Sequence, residues 1–192
     1  MEHAAIREAA RLIAAARRGT CLAELPPALQ PSTADDAYEI QVALAALLQE
    51  PVAGWKVSSV KGFGVLVGLI VGSRNFASGT TIGLADVHML GVEAEIAFNF
   101  DRAFPPRDEP FGREEVSEGV TAFAAIEIVG SRFCNYDDIP AIVRAADFMS
   151  NAAFVAGSLR PEWRSCDLDT IPVTLSIDGT EAVRRRGGHA GD

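Results

Sequence analysis

Val92-Glu93-Ala94-Glu95-Ile96-Ala97-Phe98-Asn99-Phe100 alternates with a period of two. Val92, Ala94, Ile96, Phe98 and Phe100 share one face, and Glu93, Glu95, Ala97 and Asn99 share the other, which is the alternation of a strand. Two carboxylates at i and i+2 on a strand point the same way, about 6–7 Å apart. Like charges that close repel unless they are solvated, protonated or bridged by a cation. Carboxylate oxygens suit Mg²⁺, Mn²⁺ or Ca²⁺ rather than Zn²⁺. Spacing alone also fits a solvated strand face.

Upstream, residues 4–18 carry Ile6, Ala9, Ala10, Ile13 and Ala16 at three- and four-residue steps, an amphipathic helix with good intrinsic propensity. Pro26, Pro27 and Pro31 mark a loop. Ser32-Thr33-Ala34-Asp35-Asp36 opens a second helix, its hydroxyls and aspartates suited to free N–H groups at the positive helix end. Ala37, Ile40, Leu44, Leu47 and Leu48 form its apolar stripe, and Pro51 ends it. Trp55-Lys56-Val57 begins a region of glycines and β-branched residues that reads as strands and turns.

Downstream, Pro105 to Pro110 is a loop and Arg113 to about Phe123 fits a short helix. Ala124 to Val129 reads as a strand, with Ile126 and Ile128 on one side and Glu127 on the other. Residues 139–157 begin as a helix and run into an apolar segment. Ile171, Val173, Leu175 and Ile177 alternate, and Asp178-Gly179 supplies a type I′ turn to a returning strand, Glu181 to Arg185. The class is α+β, a single domain over 1–192, helical over 1–50 and β-rich over 51–192.

The charge excludes some functions. Lys plus Arg is 17 and Asp plus Glu is 26 in 192 residues, a net charge of −9. Such a chain repels phosphate backbones, so nucleic acid is not an expected partner. The longest apolar stretch, Gly62 to Gly72, falls well short of the roughly 20 residues of a membrane-spanning helix. Glu2 and Glu8 stand where a secretory signal needs positive charge. Cys21, Cys134 and Cys166 are widely spaced and odd in number, which suggests reduced thiols in a cytoplasmic protein.

Two more residues carry possible chemistry. Glu127 is one charge inside Ala124-Ala125-Ile126-Glu127-Ile128-Val129, costly to bury without a partner. It is either an outward-facing residue or a third ligand beside Glu93 and Glu95. Lys56 either snorkels or is held near a carboxylate or anionic substrate. His88 is a weaker candidate base. Ser131 lacks the G-x-S-x-G elbow of a serine hydrolase.

Gly54-Trp55-Lys56-Val57, then Val92-Glu93-Ala94-Glu95-Ile96-Ala97-Phe98, then Ile126-Glu127-Ile128-Val129-Gly130-Ser131-Arg132, in this order, resemble the 2-keto-4-pentenoate hydratase and 4-oxalocrotonate decarboxylase group of the fumarylacetoacetate hydrolase superfamily. Asp35-Asp36-Ala37-Tyr38-Glu39-Ile40-Gln41 is similar to the family's second-helix segment. Ala146-Asp147-Phe148-Met149-Ser150-Asn151 is similar to its alanine-aspartate-asparagine stretch, with Phe148 where asparagine is usual. The resemblance implies two N-terminal helices packed on a mixed β-rich roll. It implies Mg²⁺ or Mn²⁺ on Glu93, Glu95 and Glu127, with Lys56 beside a small 2-oxo acid substrate, in a homo-oligomeric lyase of aromatic-compound catabolism. A hydratase adds water to a 2-hydroxy-dienoate. A decarboxylase or an acylpyruvate-type hydrolase uses the same metal site.

Three departures stand against the pattern. Gly68 to Arg74 holds no carboxylate where many hydratases carry one. Gly130 stands where aspartate is common. The family also continues past the hairpin that ends near Arg185 into a further helix and strand. The resemblance therefore also implies a missing C-terminal segment, and with it the alternative of a non-catalytic, truncated paralogue.

Overall fold

The computed structural model describes residues 1–84, 87, 89 and 91–187. Two helices, α1 (His3–Ala16) and α2 (Ala34–Leu48), precede strands β1 (Val52–Val60), β2 (Gly64–Val71), β3 (Asn75–Ala77) and β4 (Gly91–Phe100). Then follow α3 (Arg113–Glu118), β5 (Val120–Val129), α4 (Ala141–Ala146), β6 (Asn151–Arg160), β7 (Pro172–Ile177) and β8 (Thr180–Arg186). The strands form an antiparallel pair β1–β2, a four-stranded sheet in the order β3-β6-β5-β4, and an antiparallel pair β7–β8. The α+β class is as the sequence implies. No helix among the described residues is long and apolar enough to cross a membrane.

Contacts divide the chain into two compact units, and the division falls within β4, β5 and β6. The first holds Met1–Glu93 and Glu127–Val155. Its core joins α1, α2, β2 and α4 through Ile13, Ile40, Leu44, Leu69, Val143 and Phe148. Burying such side chains stabilises by about 1.5–3 kcal/mol each. Helix α2 starts as its sequence implies. Thr33 accepts the Asp36 N–H, and the Asp36 carboxylate accepts the N–H groups of Ser32 and Thr33. Buried Gln41 closes the free edge of β2, donating to Val67 O and accepting from Leu69 N, both at 2.8 Å. The second unit holds Ala94–Ile126 and the chain from Ala156 onward. It contains edge-to-face aromatic pairs, Phe98 with Trp163 and Phe104 with Phe111. The hairpin turn carries positive φ at Asp178 and Gly179, as a type I′ turn requires.

Three expectations are corrected, and the form of the apolar run after α4 is settled. Helix α3 stops at Glu118, and Val120 to Phe123, expected as helix, opens β5. The β-branched pair Val120-Thr121 favours the extended chain. The apolar run after α4 is a strand, β6. Leu47 is exposed, outside the buried stripe of α2. Cys21 and Cys134 form a disulfide, so the expectation of three reduced thiols does not hold. Spacing along the chain does not report distance in space. Leu22 N donates to Arg132 O and Cys134 N to Leu22 O, which brings the two Cα atoms to 5.3 Å, within disulfide range.

Candidate metal centre

Glu93 and Glu95 sit two residues apart in β4, and Glu127 lies on β5, the next strand of the sheet. Each offers a carboxylate oxygen, and these oxygens lie within 4.8 Å of one another. Glu93 is exposed and Glu95 half-buried, whereas Glu127 is only 1% exposed. The outward-facing alternative for Glu127 is thereby excluded: Ile126 faces outward in its place. Three hard oxygen donors converging on one point fit a divalent cation of the Mg²⁺ or Ca²⁺ kind.

Lys56 reaches this cluster from β1, 71 residues away in sequence. Its Nζ donates to Glu127 Oε1 at 2.6 Å and to Met149 O at 3.3 Å. Asn151 Nδ2 donates to the same Oε1 at 3.2 Å. Glu127 Oε1 is thus occupied by protein donors. Burial holds the Glu127 carboxyl above the usual carboxylate range. Lys56 and Asn151 pull it down, and the Glu93 charge pushes it further up.

The approach of Lys56 depends on Gly68, its partner in the β1–β2 ladder. A Cβ at Gly68 would stand 2.9 Å from Lys56 Cγ, Met149 Cβ and Phe148 O. The Gly130 departure has a similar cause, since a Cβ there would lie 2.7 Å from that of Ala152. An aspartate does not fit without displacing β6.

Met149 belongs to an unusual turn. Phe148, Met149 and Ser150 have φ of 51°, 50° and 62°, three consecutive left-handed residues with no glycine among them. This conformation costs roughly 1–2 kcal/mol per residue. It lifts the Met149 carbonyl toward Lys56 and delivers Asn151 to Glu127.

Sequence reasoning singled out Lys56, Glu93, Glu95 and Glu127, and the structure brings the four together. It missed Asn151 and the Met149 carbonyl as partners. The only signal for them was the Ala146–Asn151 segment, taken as family likeness without a role. His88 lies outside the described residues. Ser131 is buried, and its Oγ accepts the Phe133 N–H at 3.0 Å, a loop-forming role.

Known proteins bear on this geometry. No family model matches the chain. The chain is 35% identical over 123 residues to the 2-keto-4-pentenoate hydratase of Burkholderia vietnamiensis (strain G4 / LMG 22486), and 32% identical over 123 residues to 2-keto-4-pentenoate hydratase 3 of Pseudomonas putida. Over those residues the chain is similar to 2-keto-4-pentenoate hydratases. The first match covers 64% of this chain but only 46% of that hydratase, and the second 64% and 45%. Among solved structures, 4-oxalocrotonate decarboxylase from Pseudomonas putida G7, complexed with magnesium and adipate, superposes with a TM-score of 0.83. That match covers 98% of this chain and 77% of the decarboxylase, at 18% identity. The same decarboxylase complexed with calcium and acetate gives a TM-score of 0.81. The chain therefore shares the fold of that decarboxylase.

Proposed function

We propose that the chain is a divalent-metal-dependent lyase of the hydratase type, acting on a small 2-hydroxy-dienoate or 2-oxo-enoate of aromatic-compound catabolism. The observation that carries this reading is the convergence of Glu93, Glu95 and Glu127, with the Lys56 ammonium on the buried member. Glu93, Glu95 and Glu127 would hold Mg²⁺ or Mn²⁺. The bound cation supplies Lewis acidity toward the carboxylate and 2-oxo oxygens of a 2-oxo acid. Lys56 Nζ carries a positive charge and a transferable proton beside that position, and stabilises negative charge as it develops on the substrate. Glu127 Oε1 and Met149 O orient this ammonium. Exposed Trp55, Val57 and Val65 on the β1–β2 hairpin support a homo-oligomer.

One observation favours a second reading, decarboxylation. Gly68 to Arg74 offers no carboxylate to activate water, and loss of carbon dioxide needs none. Two assays separate the readings. Hydration of 2-hydroxypenta-2,4-dienoate with Mg²⁺, abolished by chelator, supports the hydratase. Carbon dioxide release from 2-oxohex-3-enedioate without hydration supports the decarboxylase. The metal itself is tested by Glu95→Gln, which replaces an anionic ligand with a neutral one. Mn²⁺ affinity should fall at least about tenfold, the size of a lost charged contact of 1.5–3 kcal/mol. Unchanged affinity would remove the basis of the proposal.

A further inference from the structure

The turn Phe148–Ser150 contains no glycine, yet all three residues are left-handed. Backbone of this kind persists only where its surroundings over-determine it. Here both ends are tied to one short segment, Gly130–Arg132, which continues directly from the strand that carries Glu127. At the leading end stands Asp147, fully buried. Its carboxylate accepts the Arg132 backbone N–H at 3.0 Å and Arg132 Nε at 2.6 and 2.7 Å, and its carbonyl accepts Arg132 Nη2 at 2.9 Å. At the trailing end Gly130 N donates to Ser150 O at 2.8 Å. Arg17, from the end of α1, adds a second guanidinium. It lies 3.7 Å from Asp147 Oδ1 and 4.5 Å over the Phe148 ring. Among the described residues its Nε and Nη2 are buried without a hydrogen-bond acceptor. Arg17 therefore acts through charge and stacking.

From this geometry we infer that the Arg132–Asp147–Arg17 cluster is a positioning clamp, which holds the left-handed turn closed and so sets where the Lys56 ammonium stands against Glu127. The inference rests on the reading of Lys56 and the three glutamates as the working site. Without the clamp the turn relaxes to negative φ, the Met149 carbonyl withdraws, and Lys56 loses one of its two protein acceptors. Asn151, the first residue after the turn, shifts on Glu127 at the same time.

The chain has two lysines, Lys56 and Lys61, and Lys61 is exposed. Acetylation of the whole protein followed by peptide mass spectrometry therefore reads Lys56 against an internal reference. Arg132→Lys keeps the charge but loses the forked donor geometry. In that variant the Lys56:Lys61 ratio should rise about fivefold, the factor for one lost hydrogen bond. Adding Ser150→Gly should return it toward the wild-type value, because glycine adopts φ near 62° without a clamp. The removed Ser150 Oγ has no hydrogen-bond partner among the described residues to lose. A cluster that served only as packing would not be rescued by a backbone change. Arg17→Met should move the ratio the same way by a smaller factor, and it decides the matter if Arg132→Lys does not fold. A wild-type ratio in a folded clamp variant, or a raised ratio that Ser150→Gly leaves raised, overturns the inference. Mn²⁺ affinity is measured alongside. A clamp variant with normal Mn²⁺ binding and a wild-type ratio refutes the clamp alone, whereas unchanged affinity in Glu95→Gln refutes the metal reading and leaves the lysine result to stand by itself.

Discussion

Gly68→Ala tests the site through a single methyl group. The added Cβ meets Lys56 Cγ, Met149 Cβ and Phe148 O, each at 2.9 Å. Ordinary carbon contacts begin near 3.5 Å, so about 0.6 Å must be found on each side. Neither neighbour gives way easily. Phe148 O belongs to the left-handed turn, and Lys56 is anchored at its far end on Glu127. Overpacking of this kind costs about 1–3 kcal/mol, which for a chain of this size lowers the melting temperature by roughly 2–12 °C. Gly54→Ala in the paired strand β1 is the control, because its added Cβ meets only Ile70 Cδ1 at 3.9 Å. Thermal unfolding by circular dichroism compares the two, and lysine acetylation reports whether Lys56 has left Glu127. We expect Gly68→Ala alone to lose stability and to expose Lys56. If both alanine variants melt together with the Lys56:Lys61 ratio unchanged, the close packing argued around Lys56 is wrong.

Three other outcomes are expected. Lys56→Met leaves a carboxylate that is 1% exposed facing no lysine, at a cost of up to about 3–5 kcal/mol for a broken buried pair. Because burial already raises the Glu127 pKa, its contribution to stability should fall as pH rises from the unfolded carboxyl value through the folded one, and then level off. Urea unfolding of the variant at several pH values, with and without Mn²⁺, checks this; a deficit independent of both pH and metal would contradict it. Reducing the Cys21–Cys134 bridge releases a loop with a sequence separation of 113, worth about 5 kcal/mol by loop entropy. Urea titration with and without dithiothreitol measures that difference. At acid pH, Asp36 contributes in the opposite sense to Glu127. The amino-terminal ammonium, with Ser32 and Thr33, holds the Asp36 carboxyl below its usual range, so its stabilisation is present above about pH 4 and lost as pH falls through the folded value. Asp36→Asn should flatten the acid limb of the stability profile.

The parts of the molecule legible in the sequence are those that local physics decides. Thr33 and Asp36 announce a helix start because capping involves residues three apart. Asp178-Gly179 announces a hairpin because the turn needs positive φ. The alternation of residues 92–100 gives a strand and puts Glu93 and Glu95 on one side of it. Longer-range facts were illegible for definite reasons. Apolar residues follow Asn151 without alternation, so nothing marked β6 as a strand, and three left-handed residues without glycine have no compositional sign at all. The Cys21–Cys134 bridge depends on a backbone contact between Leu22 and Phe133, which spacing does not reveal. Glu127 was ambiguous because a lone carboxylate in an apolar strand fits either face until its partner is known, and that partner, Lys56, lies 71 residues earlier.

Charge balance ties these pieces together. A carboxylate as buried as Glu127 would ordinarily take up a proton. Lys56 opposes this by placing an ammonium on Oε1, with Glu93 and Glu95 on the adjacent strand. In the proposed metal site the three carboxylates, the ammonium and one divalent cation would sum to zero charge. In the proposed site the pairing of Lys56 with Glu127 would do two jobs that conflict in a simpler site: it would draw the pKa of the buried carboxyl down against its burial, and hold a proton donor within reach of whatever the three carboxylates bind. On this account Lys56→Met, which removes the group that draws the Glu127 pKa down, weakens Mn²⁺ binding most at acid pH, whereas Glu95→Gln weakens it across the pH range, and Mn²⁺ titrations at several pH values tell the two apart.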